Sequence, residues 1–160
     1  MNIHFLYAST LKIAGKETII QTVLGSCVAI CIWDSHLKIG GMNHYMLPHW
    51  EGNGLSSPKF GDVAIPKLIS KMQEAGSRKK NMIAKVFGGA EVLNFNRDHF
   101  NIGQRNIEVA RELLKDSNIP IIGHSLGGNR GRKINFAINN GSVQLKYLEA
   151  NYCNLTQNVV

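Results

Sequence analysis

The first third of the chain alternates between apolar and polar positions in the way that β-strands do. Residues 2–7 alternate, and residues 18–24 are apolar and rich in β-branched side chains, so both predict strands. Residues 27–33 (CVAICIW) form an almost wholly apolar run, typical of a strand buried on both faces. A further strand is predicted over residues 39–47, and a turn is predicted over residues 14–16.

Helical spacing of apolar residues appears twice in the rest of the chain. One predicted helix begins at Asp62, a favourable N-cap residue, and ends at Gly76. The other spans residues 103–117. The stretch 48–59, rich in Gly, Ser and Pro, is predicted to be a loop that covers a site, and residues 90–102 are predicted to be irregular.

Strands are also predicted over residues 82–87 and 119–123, and a hairpin joins residues 132–138 to 142–148 across Asn140-Gly141. Seven or eight strands with two or three helices predict an α+β fold. We expect mixed β-sheets in a sandwich-like core, flanked by the helices. The whole chain, 1–160, is expected to be a single domain, with residues 151–160 as a polar tail that frays.

Composition and charge narrow the class of protein. The chain has 160 residues, of which 44% are hydrophobic and 18% charged, as in an ordinary globular domain. Its net charge of +7 favours acidic partners, but no nucleic-acid-binding motif accompanies the charge. No segment has the length needed to insert into a membrane. Three cysteines, an odd number, indicate free thiols, and we expect a cytoplasmic protein.

Cys27 and His44 are the candidate reactive pair. Cysteine acts as a nucleophile when a nearby base takes its proton, and a strand, a turn and a returning strand can bring these two residues together. Gly25 permits a tight bend before Cys27, so the backbone N–H groups at Ser26 and Cys27 are candidates to support an oxyanion. The alternative for both side chains is a place in the core, as we expect for Cys31. The His, Cys and Asp residues do not fall at metal-ligand spacings, so no metal site is expected.

A second motif, G-x-S-x-G at 123–127, has the form of a hydrolase nucleophile elbow around Ser125. In that fold a histidine follows the serine, whereas no histidine follows His124 here. The segment GGNRGR then leads to a predicted hairpin instead of a helix. The serine-hydrolase interpretation is therefore rejected, and Arg130, Arg132 and Lys133 are expected to lie on the surface or to meet an acidic partner.

The blocks LGSCVAICIWD (24–34) and GGMNHYMLP (40–48) closely resemble the chemoreceptor glutamine deamidases of the CheD family. The resemblance continues, in order, at KVFGGA (85–90), IGQRN (102–106) and GGNRGRK (127–133). It therefore extends over most of the chain.

The resemblance implies a cysteine amidohydrolase of bacterial chemotaxis that acts on glutamines of the helical cytoplasmic part of chemoreceptors. Its nucleophile falls on Cys27, its histidine on His44, and a threonine that completes the site on Thr22. Gln21 occupies the neighbouring position. Because a shift of one residue turns a strand side chain to the opposite face, the register of this strand decides whether Thr22 or its neighbour completes the site.

The same family is similar to the catalytic domain of cytotoxic necrotizing factor toxins, which have a β-sandwich core flanked by helices. The resemblance to CheD also implies a CheC-type phosphatase as a partner, and it implies no metal or organic cofactor. Two alternatives to the deamidase are a non-enzymatic regulator of such a phosphatase and a receptor methylesterase.

Overall fold

The computed structural model describes residues 1–91, 101–149 and 157–160. Its regular elements are two α-helices, α1 (Gly61–Glu74) and α2 (Ile102–Asp116), one short 3-10 helix (Lys79–Asn81), and ten strands. The strands are β1 (Asn2–Phe5), β2 (Thr10–Gly15), β3 (Thr18–Leu24), β4 (Val28–Asp34), β5 (Ile39–His44), β6 (Met82–Gly88), β7 (Ile121–Leu126), β8 (Arg132–Ala137), β9 (Val143–Tyr147) and β10 (Gln157–Val159).

The described strands form two five-stranded sheets. The first has the order β1-β3-β8-β9-β10, and the second has the order β2-β5-β4-β6-β7. Both sheets are mixed, because β1 runs parallel to β3 and β6 runs parallel to β7, while the other pairs are antiparallel. The predicted α+β class, with mixed sheets in a sandwich-like core, is therefore confirmed.

Strand β4 belongs to the middle one of three layers, which are the two helices, the second sheet and the first sheet. Its side chains alternate, so that Val28, Ile30 and Ile32 join the apolar cluster formed with α1 and α2. Ala29 and Cys31 point the other way, into a second cluster between the two sheets. The sequence of β4 is apolar from Val28 to Trp33 because both of its faces are buried, as predicted, and the strand ends at the buried Asp34.

Several predicted boundaries agree closely with the structure. Strand β3 begins and ends at the predicted residues, and β8 and β9 form the predicted hairpin. Asp62 lies in the first turn of α1 instead of capping it, and its carboxylate accepts the Trp50 N–H. Gly76 follows the helix in the left-handed region, with φ of 101°, which glycine adopts without strain.

Two strands contradict the prediction. Residues 14–16 were predicted to be a turn, but Thr10–Gly15 is an edge strand paired with β5, and the turn lies at residues 16–17. Edge-strand β2 is partly exposed on both faces, so its sequence lacks a clear apolar alternation. The predicted polar tail also contains a strand, since residues 157–159 form β10 and pair with β9.

Other predictions fall partly outside the described residues. These are the irregular stretch 90–102, of which 92–100 are not described, and the tail, of which 151–156 are not described. Neither helix in the described part of the chain has both the length and the apolar character needed to cross a membrane.

Candidate active site

Cys27 immediately precedes β4, where the β4–β5 ladder ends. Val28 and Tyr45 form the last pair of this ladder, and two backbone hydrogen bonds of 3.1 and 3.0 Å join them. Side chains alternate along a strand, so Cys27 and His44 share the face opposite to Val28 and Tyr45. Cys27 is half-buried and packs against the cluster between the sheets. In this register Cys27 and His44 are diagonal neighbours, within reach of a long or aromatic side chain.

His44 is held by a hydrogen bond that crosses from one sheet to the other. Its Nδ1 lies 2.7 Å from the Thr22 hydroxyl, which donates its own proton to the Leu6 carbonyl at 2.8 Å. Because that proton is committed, the hydroxyl accepts a hydrogen bond from His44, and Nδ1 carries the hydrogen. The lone pair of the neutral ring is then on Nε2, which is the nitrogen that can act as a base.

The register of β3 decides which of two neighbouring side chains meets His44. Ile20 and Leu24 are fully buried between the sheets, and Thr22 lies with them on that face. Gln21 points to the outer face, where its amide donates to Asn135 at 2.7 Å. Thr22 is thus the residue in contact with the imidazole.

Backbone hydrogen bonds hold the segment around Cys27 against the end of β6. Gly89 N–H donates to the Cys27 carbonyl at 2.9 Å, and Ala90 N–H donates to the Gly25 carbonyl at 3.0 Å. Gly88 has a φ of 108°, and a Cβ atom there would lie 2.1 Å from the Cys27 carbonyl oxygen. This close approach therefore requires glycine. The double glycine was visible in the sequence, but nothing in the sequence connected it with Cys27.

The two candidate reactive groups are both uncharged at neutral pH. Burial lowers the pKa of His44 to about 4. Burial raises the pKa of Cys27, and the residue's own backbone N–H opposes part of that shift. The resting pair is therefore a thiol beside a neutral imidazole. Burial also raises the pKa of Cys31, which has the core position expected for it.

The low pKa of His44 predicts a specific dependence of stability on pH. Only 5% of His44 is exposed, and its pKa is about 4 in the folded protein, against about 6.5 when unfolded. As the pH falls from 7 to 4 the unfolded chain gains a proton here that the folded chain resists. The free energy of unfolding should therefore fall by about 3 kcal/mol at this site alone.

Urea unfolding of wild type and His44→Gln at both pH values measures this component. Between pH 7 and pH 4 the free energy of unfolding of the wild type should fall by about 3 kcal/mol more than that of the variant. All other titrating groups are common to both proteins. Parallel losses in the two proteins would contradict the lowered pKa.

The serine motif has a structural role. The Ser125 hydroxyl lies 2.8 Å from the Tyr147 hydroxyl, and β7 leads to β8 with no helix after the serine. The expectation that Arg132 lies on the surface is wrong, because its guanidinium is buried and donates to the carbonyls of Gly88 and Ser125. The ring of Tyr147 lies 5.4 Å from its charged centre. Arg132 therefore joins β8 of the first sheet to the ends of β6 and β7 in the second.

A half-buried thiol, a neutral imidazole and a hydroxyl that orients the imidazole have the composition of a nucleophilic site. This class of site occurs on many folds, so its geometry alone does not define a family.

The family model CheD, described as CheD chemotactic sensory transduction, matches residues 46–147. A probable chemoreceptor glutamine deamidase CheD of Sulfurimonas denitrificans is 47% identical over 91% of this chain and 94% of that protein. Proteins with the same description from Trichlorobacter lovleyi and Methanococcus maripaludis are 45% and 38% identical. They cover 82% and 85% of this chain, and 81% and 89% of their own lengths. The chain belongs to the CheD family.

The family-model match begins two residues after His44, so it does not include Thr22, Cys27 or His44. The roles of these three side chains depend on the geometry described above.

Proposed function

We propose that the chain is a protein-glutamine deamidase that converts glutamine side chains of chemoreceptors to glutamate in bacterial chemotaxis. Family membership supports the reaction, since the similar proteins are described as probable chemoreceptor glutamine deamidases. The observation that carries the proposal is the hydrogen bond from His44 Nδ1 to the Thr22 hydroxyl. It leaves Nε2 as a base on the same face of the sheet as the Cys27 thiol.

The first half of the reaction transfers the acyl group to the enzyme. His44 Nε2 takes the thiol proton while the Cys27 sulfur attacks the carboxamide carbon. A C–S bond forms, and the carbonyl electrons move to oxygen to give an oxyanion that backbone N–H groups near Ser26 and Cys27 stabilise. The C–N bond then breaks as His44 returns the proton to nitrogen, and ammonia leaves.

The second half restores the enzyme with water. His44 removes a proton from a water molecule, which attacks the thioester carbon. The C–S bond breaks, the Cys27 sulfur regains the proton, and a glutamate carboxylic acid is released. No metal or organic cofactor takes part in these steps.

Electrostatics favour a concerted first step. The lowered pKa of His44 and the raised pKa of Cys27 both disfavour a resting ion pair. The proton therefore moves as the C–S bond forms, when negative charge passes from sulfur to the amide oxygen. Because neutral imidazole persists down to about pH 4, the base remains available across the physiological range.

The substrate and partners follow from the family and the charge. The net charge of +7 suits docking on the acidic helical cytoplasmic part of a chemoreceptor. The place of action is then the cytoplasm, and a CheC-type phosphatase is the proposed protein partner.

An assay of products tests the proposal. The protein is incubated with a cytoplasmic chemoreceptor fragment, and both ammonia release and peptide masses are measured. We expect stoichiometric ammonia, together with glutamine residues that now have the mass of glutamate. Methanol release from a methylated fragment without ammonia would favour the methylesterase instead. The absence of either product would favour the non-enzymatic regulator.

Thr22→Val should lower kcat for deamidation by about 10- to 100-fold, since it removes the group that orients the imidazole. Valine has nearly the shape of threonine, so packing between the sheets is retained, although the Leu6 carbonyl loses its donor. Thr22→Ser keeps the hydroxyl and should stay within a factor of about three of wild type. Steady-state kinetics that place both variants at the same rate would remove the hydroxyl from the mechanism.

A further inference from the structure

Asn106 on α2 connects the two chain segments that carry the candidate reactive residues. Its side chain is fully buried, and Nδ2 donates to the carbonyls of Ser26 and Met46, both at 3.0 Å. Ser26 precedes Cys27, and Met46 follows His44 by two residues. One amide group thus binds the backbone on both sides of the site.

These bonds lie where the ladder between β4 and β5 has ended. Beyond Val28 and Tyr45 the segments separate, since Met46 N–H donates to Lys59 and the Cys27 carbonyl accepts from Gly89. The Nδ2 group of Asn106 replaces the next ladder contact. The Tyr45 hydroxyl donates to the backbone carbonyl of Asn106 at 2.6 Å, which fixes α2 against the same strand end.

The direction of the Ser26 carbonyl determines the direction of the next N–H group. A trans peptide unit is planar, and its C=O and N–H bonds point in opposite directions. Tyr45 packs among the residues of α1 and α2, so Asn106 approaches from the helical side of the sheet. Because Asn106 holds the Ser26 carbonyl, the Cys27 N–H of the same peptide unit points in the opposite direction, away from the Asn106 amide.

The Cys27 N–H has no acceptor on another residue among those that the structure describes. The same backbone N–H lowers the pKa of the thiol of its own residue, in opposition to the larger effect of burial. A backbone donor that has no acceptor on another residue and belongs to the nucleophile itself is a candidate to stabilise an oxyanion.

The side-chain oxygen of Asn106 also bears on the role of this residue. Its Oδ1 is buried and has no hydrogen-bond donor among the described residues. Such an acceptor is unfavourable, and a residue present only for packing would not introduce one. The two N–H bonds are therefore the reason for an amide at this position.

We propose that Asn106 is a positioning residue that aims the Cys27 amide N–H at the oxyanion formed during attack on glutamine. It acts through the Ser26–Cys27 peptide and does not touch the substrate. The inference depends on the deamidase function proposed above.

The test compares two reactions of Cys27 that differ in their need for an oxyanion donor. Deamidation passes through an oxyanion, whereas alkylation by iodoacetamide displaces iodide at a saturated carbon and forms none. Asn106→Asp has the same size and no N–H donor, and Asn106→Ala is a second variant that avoids a buried carboxylate. We expect kcat for deamidation to fall by about 100-fold or more, with KM and the alkylation rate within a factor of about three of wild type.

Ser77→Ala is the matched control, because it removes a buried hydrogen bond, that to Asp34, at the far end of β4. Melting temperatures identify the variants that fold, and the rates of Ser77→Ala show what a loss of stability alone does. If either folded Asn106 variant deamidates within a factor of about three of wild type, or if alkylation falls as much as deamidation, the inference is overturned. If neither variant folds, Asn106 is a structural residue and the inference is also overturned.

The two proposals can fail separately. A wild type that does not deamidate, or a Cys27→Ala variant as active as wild type, overturns the proposed function. A Cys27-dependent wild type with unaffected Asn106 variants overturns only the role of Asn106.

Discussion

Cys27→Ala should lose deamidase activity by a factor of at least about 10⁴, because the substitution removes the thiol that forms the acyl intermediate in the proposed mechanism. Binding and backbone donors would remain, but attack by free water lacks the proximity that a resident nucleophile provides. Alanine fits the half-buried position without strain, so the fold should be retained. Ammonia release from the chemoreceptor fragment measures the loss.

Cys31→Ala is the matched control for this substitution. Cys31 lies four residues further on, is buried between the sheets, and has a raised pKa. Its removal should reduce stability but leave kcat within a factor of about three. Equal activity in wild type and Cys27→Ala would remove the thiol from the chemistry. A Cys27→Ala protein that still binds a CheC-type phosphatase would show that regulation and catalysis are separate.

His44→Gln should lower kcat by about 10²- to 10⁴-fold near neutral pH, because glutamine cannot accept the thiol proton. The deficit should decrease as the pH rises, since hydroxide then ionises Cys27 without a protein base. Deamidation rates at several pH values measure this trend. In the wild type, loss of activity through protonation of the base should begin only near pH 4.

His36→Gln serves as the control for the histidine substitution. His36 is exposed in the turn after β4, at the opposite end of that strand from Cys27. Its replacement should leave the rate within a factor of about three. A deficit in His44→Gln that is the same at every pH would exclude a role in proton transfer and indicate a structural effect.

Elements with one strong local signal were predicted well. The boundaries of β3, the double-sided burial of β4 and the β8–β9 hairpin follow from β-branched runs, a continuous apolar run and Asn140-Gly141. Strand β2 was missed because edge pairing to β5 supplies its stability and few of its side chains are buried. Strand β10 was also missed, because it is stabilised by pairing with β9 and not by a pattern in its own sequence.

Charge patterns were less informative than apolar patterns. Arg132 belongs to a basic, glycine-rich segment that is expected to be solvated, yet its guanidinium is buried among backbone carbonyls. Those carbonyls belong to the ends of β6 and β7, which come near Arg132 only when the sheets pack. No sequence pattern contains that information.

By itself, the sequence determined the residue types and order of the candidate site: a cysteine after Gly25-Ser26, and a histidine on the next strand. Side-chain alternation, counted one residue from the Val28–Tyr45 pair on each strand, places those two residues on one face, and this follows from two strands that are adjacent in the sequence. Only the tertiary structure decided that Thr22, not Gln21, meets the imidazole, because β3 and β5 belong to different sheets. The tertiary structure likewise decided that burial lowers the pKa of His44, and that Asn106 binds the Ser26 carbonyl. Burial and hydrogen bonds between distant segments arise when the layers pack, and spacing along the chain does not encode them.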